Sequence, residues 1–497
     1  MFDKKFSYHV FIILILLIIA HFIPFERNSL APDDYSLMNL KNGLSNFIVH
    51  PDRPILYIFL EIIHYYFSNN INLYFYFLIF SNFINLIVVY IFFKLFLSSN
   101  NSFLVTLIYL IFYIKLEIFH NSIMIHISLV STLYILFLYF LIKFLNVNNI
   151  IYYFLSLLLF LVCIFWYEIG FFISLSIIFY NKTELNIQLK RKIIILIPFL
   201  LLMIFYILIR QTGLFGISNF ENSYNVNFLI TDGFVDIFNH LFGRYAIKNI
   251  LYGFYQFFNF HLIYIIFFLL FNFFFSYFLI TKIKYKRIKN TNLIFFVILF
   301  LLCIFPILIN GESGGRNYVI ATIPISLFIF LLMNLKKINF KFTYFIFIIT
   351  MLIISQGNAI SQAIASRIHN TILLSIENNS SQKKNIRTII FDPSSLSQHI
   401  NHSFFSTDYN LINTYYGAQV WETWGLNSYF NTKFESLEFI IVNDVPKLDE
   451  NKYLISKLNM IKKETLKSEL IEISKDGVQI LNFDNIYSTG FDYGKNK

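Results

Sequence analysis

The chain has 497 residues, 57% hydrophobic and only 13% charged, with a mean hydropathy of +0.64 and a formal net charge of +10. A soluble protein of this length exposes far more ionisable surface, so composition excludes a soluble globular chain and predicts a polytopic membrane protein. Its two cysteines, Cys163 and Cys303, lie inside apolar runs, which argues against a disulfide framework or a Cys-based metal site.

In chain order, YHVFIILILLIIAHFIPF predicts a span near 8–25. It has the length of a spanning helix and no small-residue cleavage site, so it is expected to stay as an anchor. RNSLAPDDYSLMNL follows and places Asp33 and Asp34 where the chain leaves the hydrocarbon. PDRPILYIFLEIIHYYF, 51–67, is apolar but short and is interrupted by Glu61 and His64. It predicts an amphipathic helix lying at the interface; counted as a span, it would invert everything after it. Further spans are expected near 72–93, 102–116, 123–142, 150–165, 169–180, 193–209, 262–280, 293–309, 318–334 and 341–355, eleven in all. The tail, 356–497, turns to mixed polar sequence: RTIIFDP and EFIIVND read as buried strands and LISKLNMIKKETLKSELIEI as a helix. The expected architecture is an α-helical polytopic membrane domain, 1–355, followed by a C-terminal extracytoplasmic α/β domain, 356–497.

The basic residues set the orientation. With 51–67 at the interface, Lys4, Lys5, Lys94, Lys143 and the runs NKTELNIQLKRK, TKIKYKRIKN and NLKKINFK all fall on one side, expected to be cytoplasmic. The other side receives 26–71, 117–122, 166–168, 210–261, 310–317 and the tail. The net positive charge is then a topology signal, and nucleic acid is not an expected partner.

That same topology gathers most unusual polar residues of the membrane half on the outer face. Asp33, Asp34, His50, Asp52, Arg53, Glu117, His120, Glu168, Arg210, Arg244, Glu312 and Arg316 all map there. Ionisable groups at membrane depth are costly, so their convergence marks a candidate site. Any one of them is as readily a solvated loop residue, because positive-inside selection leaves that face acidic. Glu168, in the tight turn of WYEIGF, interrupts an otherwise continuous apolar stretch; its plain reading is a carboxylate paired to a neighbouring helix. Two glycines before Arg316 in NGESGGR would let backbone approach a phosphate closely.

In this order, APDDY after the first span, DRPILY entering a juxtamembrane helix, KLEIFHNS in a second outer loop and WYEIGF resemble the GT-C superfamily over roughly residues 8–335. These membrane glycosyltransferases take sugars from polyprenyl-phosphate carriers, in the manner of protein mannosyltransferases, aminoarabinose transferases and O-antigen glucosyltransferases. The resemblance implies a multi-pass plasma (bacterial inner) membrane enzyme with a polyprenyl-phosphate-linked sugar donor and a glycan, lipid or protein acceptor. Asp33 or Asp34 would be the base that deprotonates the acceptor hydroxyl, and Arg316 and Arg210 would hold the lipid phosphate. Glu168 and Arg53 would shape the pocket, with Glu117 and His120 near the substrate. DDY is not the DxD of the oligosaccharyltransferase branch; no metal ligand and no cofactor are assigned. The rival readings are a lipid-linked glycan polymerase, a transporter or flippase of surface polysaccharide assembly, and an assembly protein that would tolerate loss of both aspartates.

Overall fold

The computed structural model describes residues 4–23, 53–67, 70–113, 119, 124–181, 189–212, 230–282, 292–310, 318–334 and 339–382, and beyond these eight short strands. The chain divides into two units, one of residues 1–23, 42–257 and 263–359, the other of 24–41, 258–262 and 360–497.

The first unit is built of helices: α1 (Lys4–His21), α2 (Pro54–Phe67), α3 (Ile71–Phe93), α4 (Ser99–Ile111), α5 (Ile125–Val147), α6 (Ile150–Trp166), α7 (Leu189–Thr212), α8 (Ile230–Leu241), α9 (Arg244–Phe258), α10 (Leu262–Lys282), α11 (Leu293–Asn310), α12 (Thr322–Met333) and, up to Ala359, the long α13 (Phe340–Gln382). Five of them, α3, α5, α7, α10 and α13, are long and apolar enough to cross a membrane. The molecule is in this respect a helical membrane protein, as the composition demands.

Side-chain contacts sort the helix ends into two sets. At one end, His9 bonds Tyr90, Tyr90 bonds Ser99, and Tyr180 bonds Asn146 while its ring meets Phe295. Lys192 reaches the carbonyls of Ile178 and Tyr180 and Oδ1 of Asn181. Lys94 lies over the rings of Phe6 and Tyr90 at this same end. At the far end, Phe22 meets Phe75, His21 bonds the Leu110 carbonyl and stacks on Phe119, and His126 meets Tyr167. Phe171 meets Tyr206, Phe172 meets Phe305, and Ser355 bonds the Ile111 carbonyl.

These contacts also locate the two ends of α2. α2 begins with Arg53 paired to Glu168, passes Phe59 against Trp166, and ends with Phe67 against Tyr74 and Phe77. Both of its ends therefore stay at the far end of the bundle, between the end of α1 and the start of α3. Leu56 and Ile63 are buried while Ile58, Glu61, Ile62, Tyr65 and Tyr66 are exposed, the two-faced pattern of a helix lying across a surface.

Three expectations change. The stretch near 169–180 is not an α-helix but a pair of 3₁₀ segments, Glu168–Gly170 and Ile173–Phe179. A 3₁₀ helix rises about 2 Å per residue against 1.5 Å in an α-helix, so the steps from Glu168 to Tyr180 cover about 24 Å rather than about 18 Å. That is how so short a stretch runs from the far end back to the lysine-rich end. Next, 210–261 is not a plain loop: it contains α8 and α9, with Ile237, Leu241, Ala246, Tyr252 and Phe257 turned inward. Finally, α13 does not stop near 355. Ser355, Gln356 and Asn358, which ended the apolar run in the sequence, are buried and satisfied inside. Gln356 and Asn272 exchange two amide hydrogen bonds, at 2.8 and 3.1 Å, and Asn358 donates to the Asn249 and Ile354 carbonyls.

Close helix packing has a specific cause where α9 crosses α13. A Cβ at Gly357 would stand 1.8 Å from the Gly253 carbonyl oxygen, and one at Gly253 would stand 2.5 Å from the Ile354 oxygen. Only glycine lets the two backbones touch.

In the second unit, β1 (Thr388–Asp392) lies between β4 (Glu438–Ile441) and β8 (Val478–Asn482) in a parallel sheet, with Ile389 opposite Phe439 and Gln479. RTIIFDP and EFIIVND are thus strands, as expected. The segment read as a helix is not one: it contributes β6 (Lys452–Leu458) and β7 (Ser468–Ser474), paired antiparallel with Ile455 opposite Ile471, and β5 (Lys447–Asp449) adds to β6. Alternation in SELIEIS suits a pleated strand as well as a helix face, and pairing with a neighbour settles it. β2 (Thr414–Tyr415) and β3 (Ala418–Gln419) form a two-residue ladder.

Two measurements check this fold. With α2 lying across the far end, single cysteines at Lys5 and Tyr66, both exposed, should react with a membrane-impermeant maleimide from opposite sides. Labelling of both from the same side would show α2 to be a span. Gly357→Ala should lower stability in detergent by about 1–3 kcal/mol through backbone overpacking, read as a drop in unfolding temperature.

Candidate functional site

The turn after α6 is fixed by each of its residues in succession. Trp166 packs on Phe59, with ring centroids 4.8 Å apart. Tyr167, extended at φ −164°, turns the chain out of the helix, and its carbonyl accepts from Tyr134 Oη at 3.1 Å. Glu168 opens the 3₁₀ segment, and Gly170 follows because a Cβ there would lie 2.8 Å from the Tyr134 ring. WYEIG is thus a shape requirement before it is anything else.

Arg53 closes over this turn. Its Nη2 donates to Glu168 Oε1 at 2.7 Å, its Nε to Oε2 at 3.2 Å, and its guanidinium carbon lies 4.5 Å from the Tyr167 ring centre. The fork-on-fork geometry makes the pair strong for its setting, and the side chains, 21% and 22% exposed, are largely withdrawn from water. The two residues expected to shape a pocket are therefore brought together, and the plain reading of Glu168, a carboxylate paired to a neighbouring helix, is the arrangement found.

A second polar cluster lies on α8 at the same end. Asp236 and His240 are one turn apart, with Asp236 Oδ1 3.3 Å from His240 Nδ1. Asp236 Oδ2 accepts from the Tyr318 hydroxyl at 2.9 Å. The His240 ring sits between Tyr245 and Tyr318, at 4.6 and 5.0 Å. Tyr113 donates to the Leu241 carbonyl and caps the helix. Gly233, where a Cβ would meet Leu308 Cα at 2.8 Å, lets α8 lie directly on α11. The Phe172–Phe305 contact brings the 3₁₀ stretch to the same half of α11, so α11 carries both clusters.

Sequence reasoning missed Asp236 and His240, whose surroundings read as loop, and Tyr318, which opens the span expected near 318–334. The signal was present: TDGFVDIFNHLFGRYAIKNILYGFYQFF has helical apolar spacing with Asp and His at i and i+4. Of the predicted site residues, Arg210 lies in the last turn of α7. Asp33, Asp34, Glu117, His120 and Arg316 lie outside the described residues, as do His50, Asp52 and Glu312. Arg244 is not in a loop but opens α9. Among the described residues no group of three or more His, Cys, Asp or Glu side chains gathers as a metal would require.

The Arg53–Glu168 pair should behave as a unit. Arg53→Ala or Glu168→Ala alone strands a half-buried charge and should cost about 1–3 kcal/mol in unfolding free energy. The double variant should cost clearly less than the sum, which a double-mutant cycle measures. Comparison of the chain with protein-family models, with characterised proteins and with solved structures gave no match.

Proposed function

We propose that the protein is a membrane glycosyltransferase of GT-C type, moving a sugar from a polyprenyl-phosphate carrier to a glycan, lipid or protein acceptor at the extracytoplasmic face. In this reading the eleven segments running between the two ends of the bundle cross the membrane: α1, α3 to α7, the 3₁₀ stretch and α10 to α13. The lysine-rich end faces the cytoplasm, and the C-terminal unit is an extracytoplasmic α/β domain.

One observation carries the reading. His21 and Arg53, the described residues on either side of the stretch that holds Asp33 and Asp34, both lie at the end of the bundle where Glu168 is clamped. The lysines of α3 and α7 lie at the opposite end. Inverting transfer needs a base for the acceptor hydroxyl and cationic or hydrogen-bonding groups for the departing phosphate, both at one membrane surface. Asp33 or Asp34 takes the first role, and Arg210 and Arg316 the second.

The bundle interior favours this over a transporter. Among the described residues, the polar side chains that link α3, α4 and α5 are neutral and engage one another: Asn85 donates to Ser131 and Thr132 and accepts from Tyr109, and Ser128 donates to Asn82. Ion-coupled transport would call for ionisable groups at that depth.

Asp33→Asn and Asp34→Asn, made separately and together at unchanged membrane abundance, test the assignment. The double variant should lose transfer by about a hundredfold or more, read as disappearance of one defined sugar from surface glycans by mass. Unchanged glycans would remove both residues from the reaction.

A further inference from the structure

The Asp236–His240–Tyr318 cluster has no part in the roles assigned above, and its geometry is that of a prepared site. His240 Nδ1 faces two acceptors, the Asp236 backbone carbonyl at 3.1 Å and Oδ1 at 3.3 Å, so this nitrogen carries hydrogen and the ring is held in one orientation. Tyr318 occupies the other oxygen of Asp236, and the flanking tyrosine rings prevent the imidazole from turning. Nε2 has no hydrogen-bond partner among the described residues. A carboxylate that locks one ring nitrogen and presents the other is the standard means of aiming an imidazole at a ligand.

The opposite face of α8 indicates what kind of ligand. Phe234, Val235, Phe238 and Phe242 are 59%, 58%, 61% and 71% exposed, an apolar stripe across the helix from the polar cluster. A helix with one face for hydrocarbon and one for a polar head suits an amphiphile at the membrane surface. After the turn that ends α8, Arg244 opens α9 and Lys248 follows one turn on, buried against the Tyr252 ring.

We propose that His240, positioned by Asp236 and Tyr318, binds the phosphate of a prenyl-phosphate lipid. In the complex Nδ1–H donates to Asp236 and Nε2–H to a phosphoryl oxygen. This rests on the glycosyltransferase reading for its place in a reaction. There, as the bond from the anomeric carbon to the phosphate oxygen breaks and its electron pair passes to the phosphate, Nε2–H stabilises the charge that appears. The acceptor proton goes to the aspartate base.

The test needs no turnover. Binding of citronellyl phosphate, citronellol and inorganic phosphate to the purified full chain in nanodiscs is measured by calorimetry for wild type, H240Q, D236N and Y318F. Saturable binding of citronellyl phosphate, weakened about tenfold or more in H240Q and less in D236N and Y318F, supports the site. Citronellol should bind weakly and equally to wild type and variants. Wild-type affinity in H240Q overturns the proposal. Inorganic phosphate binding as tightly as citronellyl phosphate overturns the lipid as its source. A lower unfolding temperature in H240Q with binding per folded molecule unchanged assigns His240 a structural role and also overturns it. Transfer surviving in the Asp33/Asp34 double variant while citronellyl phosphate binding still depends on His240 would sink the proposed base and leave this site standing.

Discussion

Arg53 holds two parts of the chain that hydrophobicity alone leaves unconnected. Its guanidinium binds both oxygens of Glu168 while lying over Tyr167, tying the start of α2 to the turn after α6. An apolar helix of fourteen residues is short for a span and would otherwise be free to dip into hydrocarbon. Pinned at its first residue and packed through Phe67 onto α3 at its last, it stays at one end.

Inside the bundle a different constraint operates. Where apolar surroundings offer no water, each polar group must find a partner in the protein, so polar residues set helix register more sharply than leucines do. Asn85 joins α3 to α5 and, through Tyr109, to α4; the Asn272–Gln356 pair joins α10 to α13. Lys192, 2% exposed, closes the 3₁₀ stretch by binding its last carbonyls, where orphan acceptors would otherwise remain. The glycines act in the complementary way: Gly170, Gly233, Gly253 and Gly357 are the places where a side chain would push elements apart.

The two polar clusters at the far end differ in kind. Arg53 and Glu168 satisfy each other, and their pairing gives the turn its form. Asp236 and His240 form a pair through one imidazole nitrogen, Nδ1. α11 lies behind both, through Phe305 and Leu308, so a change in its position would be felt by each. The apolar faces that α2 and α8 expose, Ile58 and Ile62 on one and Phe238 and Phe242 on the other, suit both helices to the membrane surface.

The sequence by itself determined the membrane class, the positions of the long apolar helices and the strands at RTIIFDP and EFIIVND. Each of these depends on local hydropathy, length or charge, which survive without knowledge of neighbours. Only the tertiary structure decided that Arg53 meets Glu168, that a stretch too short for an α-helical span runs the same course as a 3₁₀ helix, and that Gln356 and Asn358 continue a helix instead of ending it. The β6–β7 ladder and the Asp236–His240–Tyr318 cluster belong with these. In each case the deciding partner lies far away in the chain, and a polar residue that reads as a break or a loop in isolation becomes a contact once its partner is in place. Hydropathy records the cost of burying a group; whether that cost is met depends on hydrogen bonds that only the fold supplies.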